Sequence, residues 1–245
     1  MKFTALIAAT ALMCAAAATA QYAPTRAGMA LNYKSTHAES GQVMESTDSI
    51  VAVTTTDGVT TATVKSCLHS DDQLADDMVM YSTYSYTTPD APTTVVIMSA
   101  DAFKNFITSI VKMSLEQQGQ YSEEAMKQFS ENLKAKGQLE LVLNPKGAVG
   151  DAIPNTRLRL DMGMQVSTMF ISKGAIAGFE SVTVPAGTFD KCIKVTYEER
   201  GNSPQGNEKS YNTAWYAPET GLVKEIKADK KGTVLETQEL ISIVQ

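Results

Sequence analysis

Over most of the chain apolar and polar positions alternate with a period of two, which places successive side chains on opposite faces of an extended backbone. Met29 to Thr36 reads as a first strand. Gln42 to Thr56 and Val59 to His69 are Thr/Val-rich runs separated by Asp57-Gly58. Asp-Gly between two β-branched runs predicts a hairpin, because a type I′ turn needs positive φ at both central residues. Met78 to Thr87 puts Met78, Met80, Ser82, Tyr84 and Tyr86 on one face, and Thr93 to Met98 follows after the break at Pro89-Asp90-Ala91-Pro92.

The period then changes. Phe103, Phe106, Ile107, Ile110 and Val111 fall at i, i+3, i+4, i+7 and i+8, which is one face of a helix from Ala100 to Gln118, capped by Ser99 and closed by Gly119. A second helix from Ser122 buries Met126, Phe129 and Leu133 and is expected to stop at Gly137. Strands resume at Gln138 to Asn144, Arg157 to Ser172, Ala175 to Val184, Lys191 to Arg200, Tyr211 to Tyr216, Leu222 to Asp229 and Val234 to Ile243. The pattern predicts one α+β domain over residues 29–245, an antiparallel sheet with a helical insert at about 100–136. Residues 21–28 read as a short flexible lead.

The start of the chain has a different character. Lys2 precedes an almost wholly apolar run from Phe3 to Ala18, and Ala18-Thr19-Ala20 supplies the small residues a signal peptidase reads. Residues 1–20 are therefore expected to be a signal peptide, with Gln21 as the new N-terminus. The run is too short for a membrane span of about 20 apolar residues, and no later segment has transmembrane length. A lipid anchor at Cys14 ranks lower, because Met13 stands where a lipoprotein signal wants Gly, Ala or Ser. The expected location is periplasmic or extracellular. A formal net charge of −6 argues against nucleic acid, whose phosphates need a concentrated basic surface. In an oxidising compartment Cys67 and Cys192 can form one disulfide, or they can be two buried thiols.

Candidate chemistry is sparse. His69-Ser70-Asp71-Asp72-Gln73-Leu74-Ala75-Asp76-Asp77 is rich in oxygen ligands but matches no calcium loop, and no metal or cofactor is expected. Cys67 and His69 share a strand face without a third partner, and the paired Glu198-Glu199 point to opposite faces. The chain reads as a non-enzyme; an exported hydrolase using Cys67 and His69 is the weakest alternative. The unusual bias is 12 methionines, residues that suit adaptable apolar surfaces. Phe103, Phe106, Ile107 and Ile110 on the helix, facing Met162 and Met164 on a strand, are the expected lining of an apolar pocket.

One stretch carries a family resemblance. Asn144-Pro145-Lys146 through Val149-Gly150-Asp151, Leu160-Asp161-Met162-Gly163-Met164, and Phe179-Glu180-Ser181-Val182-Thr183-Val184-Pro185-Ala186-Gly187-Thr188-Phe189 resemble the TapB-like family of exported bacterial proteins. Trp215-Tyr216-Ala217-Pro218 with Gly221-Leu222-Val223-Lys224 fits the same pattern. The likeness spans roughly residues 137–243 and departs from it at Glu219-Thr220, where the family commonly has Gly-Val. That family is similar to a broader group of envelope proteins. The resemblance implies the open half-barrel of bacterial lipoprotein carriers, a curved antiparallel sheet with both helices on its concave face. It implies no catalytic residue. The expected role is a non-catalytic envelope protein that binds a lipid-like ligand, the alternative being an assembly factor that acts through a protein partner.

Overall fold

The computed structural model describes residues 21–69, 79–163, 165–203 and 206–245. The expected leader, Cys14, the acidic run from Ser70 to Asp77, Met78 and Met164 lie outside the described residues. The strands are β1 (Ala30–His37), β2 (Val43–Thr56), β3 (Val59–His69), β4 (Val79–Tyr86), β5 (Thr93–Ser99), β6 (Lys134–Leu143), β7 (Ala152–Ile153), β8 (Thr156–Asp161), β9 (Val166–Val184), β10 (Gly187–Ser203), β11 (Gly206–Ala217), β12 (Gly221–Ala228) and β13 (Val234–Val244). Helices α1 (Ala100–Gln117) and α2 (Glu123–Asn132) lie between β5 and β6. Ser99 and Ser122 cap them, their side chains accepting from the backbone N–H groups of Ala102 and Ala125.

Every strand pairing is antiparallel, in the order β10-β11-β12-β13-β1-β2-β3-β4-β5-β6-β8-β9, and β9 pairs again with β10. The sheet therefore closes into a twelve-stranded barrel, with β7 attached only to β9. This corrects the open half-barrel. Two pairings complete the ring. β9 carries β8 on one edge and β10 on the other, and β1 joins β13 from the far end of the chain. Closure leaves no unpaired ladder edge in the ring. α1 packs against β4, β5, β6 and β8, and α2 against α1, at one end of a closed barrel rather than in the hollow of an open sheet.

The turns between β2–β3, β4–β5, β9–β10 and β11–β12 lie at one end of the barrel, and the helices lie at the other with the β1–β2, β8–β9, β10–β11 and β12–β13 turns. The first of these ends is shut. Residues 21–28 form a strap across it rather than a flexible lead, and Tyr22 and Ala23 are 2% and 0% exposed. The Tyr22 N–H donates to Thr93 Oγ1 (3.2 Å) and its hydroxyl to the Lys191 carbonyl (3.3 Å). The Glu219 N–H donates to the Gln21 carbonyl (2.9 Å), and the Gly28 N–H to that of Ile50 (2.8 Å). Two apolar side chains and four hydrogen bonds outweigh the ordering of so short a segment.

The Pro185-Ala186-Gly187 tip of the β9–β10 hairpin folds across the same end. A slip in the β1–β13 register occurs beside Leu240, and the Leu240 carbonyl accepts from the Ala186 N–H (3.1 Å). Asp57 and Gly58 hold the expected positive φ values of 51° and 77°. Gly137 does not end α2. It sits in β6 at φ 87°, where a Cβ would lie 2.1 Å from the Arg157 carbonyl oxygen.

Candidate functional site

Strand periodicity sorts the barrel wall into two faces. Leu31, Tyr33, Ile50, Val64, Tyr84, Val95, Leu139, Leu158, Leu160, Ile171, Val195, Tyr216 and Leu240 form the buried inner set. The outer positions carry charges such as Lys34, Glu45, Lys65 and Lys136, and ion pairs such as Lys224–Glu239 (2.7 Å). Trp215 and Tyr216 take opposite faces as their adjacency requires. Tyr216 points inward, while Trp215 donates from Nε1 to Glu180 Oε1 (2.6 Å) under the Lys194 ammonium. Glu198 faces out and meets Lys173, Arg200 and Lys209 at 2.9–3.0 Å; hydrogen bonds from Lys173 and then Lys209 hold its carboxyl down near about 2. Glu199 faces in.

The interior is not filled. A cavity of about 290 Å³ lies inside the ring, touched by side chains from ten of the strands. Its wall is divided. One sector is apolar: Tyr84, Val95, Ile97, Leu139, Ile171 and Tyr216. The other is polar: Asp48 on β2, Glu199 on β10, Glu225 and Lys227 on β12, and Gln238 on β13, with Ser46, Ser66 and Ser82 at its edge. A second space of about 510 Å³ shares Glu199 and Lys227 as walls and opens at the helical end beside His37, Glu208 and Glu236. Both volumes are of the order of small-molecule sites, about 300–1,000 Å³. With the strap and hairpin tip across the other end, the lumen has one mouth.

Charges in this lumen are perturbed by their surroundings. Burial lifts the Asp48 carboxyl to about 6, against an opposing hydrogen bond from Ser66, its partner across β2–β3. Burial likewise raises Glu225, reinforced by the neighbouring Glu199 and Glu236, while Lys227 and the Tyr197 hydroxyl pull it back. Tyr197 donates its phenolic proton to Glu225 Oε1. Lys227 sits 3.7 Å from Glu236; burial disfavours its charge, but Glu225, Glu236 and Glu199 outweigh burial and raise it. Tyr33, Tyr84, Tyr197 and Tyr216 are held well above the usual phenol range, chiefly by burial, and so act as neutral donors. The two raised carboxyls, Asp48 and Glu225, share this one concavity, which makes it the candidate site of the fold.

The residues expected to line a pocket fare unevenly. Phe103 is buried, Phe106 and Ile107 pack against the core, and Ile110 is half-buried on α1. None of them is among the side chains that line the central cavity. Met162 packs on the core from a turn, not a strand: Asp161 Oδ1 accepts from the Gly163 N–H (3.0 Å), Gly163 takes φ 83°, and the chain reverses between β8 and β9. The Asp-Met-Gly order was the available signal for that turn. Met164 lies outside the described residues. Cys67 and Cys192 are free thiols on β3 and β10. Cys67 shares the outer face with His69, whose Nε2 lies 2.7 Å from Thr47 Oγ1. Among the described residues no cluster of three or more His, Cys, Asp or Glu could hold a metal ion.

The polar residues of the lumen escaped the sequence reading because inward charges on a strand look the same as outward ones. Asp48, Glu199, Glu225 and Lys227 become a set only when three strands, β2, β10 and β12, meet around a ring.

Comparison with known proteins agrees on architecture. A candidate exported protein of YmcC-like fold from Bacteroides fragilis NCTC 9343 superposes with a TM-score of 0.65 at 16% identity, covering 92% of this chain and 100% of its own. A candidate lipoprotein from Parabacteroides distasonis ATCC 8503 superposes equally well, TM-score 0.65, at 17% identity, covering 92% of this chain and 99% of its own. At these identities the likeness is one of fold. No curated protein matches the sequence. No helix among the described residues is long and apolar enough to cross a membrane. The family model matching residues 26–240 is broader than the TapB-like resemblance and spans nearly the whole barrel: the chain belongs to the DUF3108-like family.

Proposed function

We propose that this protein is an exported, non-catalytic binding protein whose barrel holds an amphipathic ligand in its lumen. The observation that carries this reading is the unfilled, one-mouthed cavity of about 290 Å³ lined by both apolar and charged side chains. A wholly lipid-like ligand suits only the apolar ones. A bound molecule with a chain and a polar head satisfies both, since a buried polar wall left without partners costs free energy. Export is supported by the leader pattern of residues 1–20 and by the words used for the two structural neighbours. A binding role is supported by the arrangement of reactive groups: Cys67 and His69 lie on the outer face, and Glu198 and Glu199 on opposite faces.

Native mass spectrometry with organic extraction of protein purified from its own host tests the reading. A stoichiometric small molecule that leaves on extraction is the expected result. Protein that is ligand-free, and that fails to take up any single-chain amphiphile added back, would overturn it.

A further inference from the structure

The polar sector of the lumen is unbalanced in charge. Asp48, Glu199 and Glu225 face the central cavity with Lys227 as the one lysine or arginine among the described residues lining it, and in the second space Glu208 and Glu236 join Glu199 against Lys227 and Lys209. Tyr197 is already committed to Glu225, and Lys227 to its ion pair with Glu236. Behind the lining residues the excess of acceptors continues. Asn212 is 2% exposed and lies in the ladder between Tyr197 and Lys227, both inward-facing. Its Nδ2 donates to Glu199 Oε2 (3.1 Å), but its buried Oδ1 has no partner. Buried acceptors without donors are uncommon, and each calls for an explanation. Gln238 and the hydroxyls of Ser46, Ser66 and Ser82 bring neutral donors to this wall, so what it lacks is positive charge: three carboxyl groups, Asp48, Glu199 and Glu225, face Lys227.

We propose that this sector receives a cationic head, an ammonium or guanidinium, of an amphipathic small molecule whose apolar chain lies against Val95, Ile97, Leu139 and Ile171. Such a head brings positive charge to a wall of three carboxyl groups and one lysine, and anionic amphiphiles are repelled by the same carboxylates. The assignment rests on the binding role proposed above and adds the chemical class of the head.

The test is calorimetric titration of the processed chain at pH 7.5 with three monomeric probes of equal chain length: decylammonium chloride, decanoate and decanol. Decylammonium is expected to bind at least about tenfold more tightly than decanoate, and its affinity to fall with added salt. Glu199→Gln and, separately, Glu225→Gln keep an acceptor for Asn212 and Tyr197, so the wall stays hydrogen-bonded. Each is expected to weaken decylammonium at least about fivefold while leaving decanol within about twofold. Lys227→Gln, which removes the competing cation, is expected to strengthen decylammonium, a gain that a purely structural role would not produce. Decanoate binding as well as decylammonium, or affinities for the amine unchanged in both carboxylate variants, would overturn the assignment of the head. If decanol matches the amine, the head assignment falls and the carrier reading stands. If none of the three binds, the carrier reading falls and takes this inference with it.

Discussion

Asp48 lies on the inner face of β2 with its carboxyl lifted by burial from 3.8 to about 6. A carboxyl whose folded value exceeds its unfolded value favours the folded state only while protonated. Its contribution is complete below the unfolded value near 3.8 and is lost as pH rises through about 6. At 1.36 kcal/mol per pH unit, the ionised group costs the fold up to about 3 kcal/mol at neutral pH. Water reaching the half-buried side chain through the lumen reduces this to about 1–2 kcal/mol. Asp48→Asn keeps the shape and an acceptor for Ser66 while removing the charge. It is expected to stabilise the protein by about 1–2 kcal/mol at pH 8, or about 2–8 °C in Tm for a chain of this size, and to change nothing at pH 3.5. Urea and thermal unfolding at half-unit steps from pH 3.5 to 8 measure both limits. A wild-type protein more stable than Asp48→Asn at pH 8, or a difference that does not vary with pH, would refute the reasoning. A gain on removing the charge alone would show a carboxylate carried at a cost in stability, as the proposed binding role requires.

Other outcomes follow from single contacts. Gly137→Ala drives a Cβ toward the Arg157 carbonyl at a positive-φ position and should cost about 3–5 kcal/mol in chemical denaturation, breaking β6–β8 first in hydrogen exchange. Glu219 holds φ 57° where the strap docks, so Glu219→Gly should gain up to about 1 kcal/mol; a loss would mean the side chain contributes more than its backbone strain costs. Tyr22→Ala empties the closed end and should lower stability by about 3–5 kcal/mol, with faster exchange of the backbone N–H at position 22, whose acceptor is Thr93 Oγ1. Cys192 is fully buried with its thiol pushed up to about 11, so a maleimide at pH 8 should modify Cys67 and leave Cys192 untouched until unfolding, as read by peptide mass mapping.

Local rules read well in this chain. Most strands fall where alternation places them, and Asp57-Gly58, Ser99 and Ser122 take the turn and cap roles their chemistry dictates. The errors have a common source. Residues 21–28 look like a lead because nothing nearby can bury Tyr22; its partners are Thr93 and Lys191. Met162 reads as a strand residue because Asp161 and Gly163 interrupt the alternation too briefly to stand out from it. The methionines and the α1 stripe drew the pocket toward greasy residues, whereas the lumen's character comes from Asp48, Glu199, Glu225 and Lys227, which no window of sequence holds together.

The sequence by itself determined most of the strands, the helical insert and the alternation of side chains along them, because those depend on neighbours within a few residues along the backbone. Only the tertiary structure decided between an open sheet and a ring. That choice rests on β1 pairing with β13 and β9 with both β8 and β10, hydrogen bonds between backbones that carry no record of which strand they will meet. Closure also gave parity a consequence. Once the ring shuts, an inward carboxylate is no longer on one side of a sheet but inside a walled space, where burial raises Asp48 and Glu225.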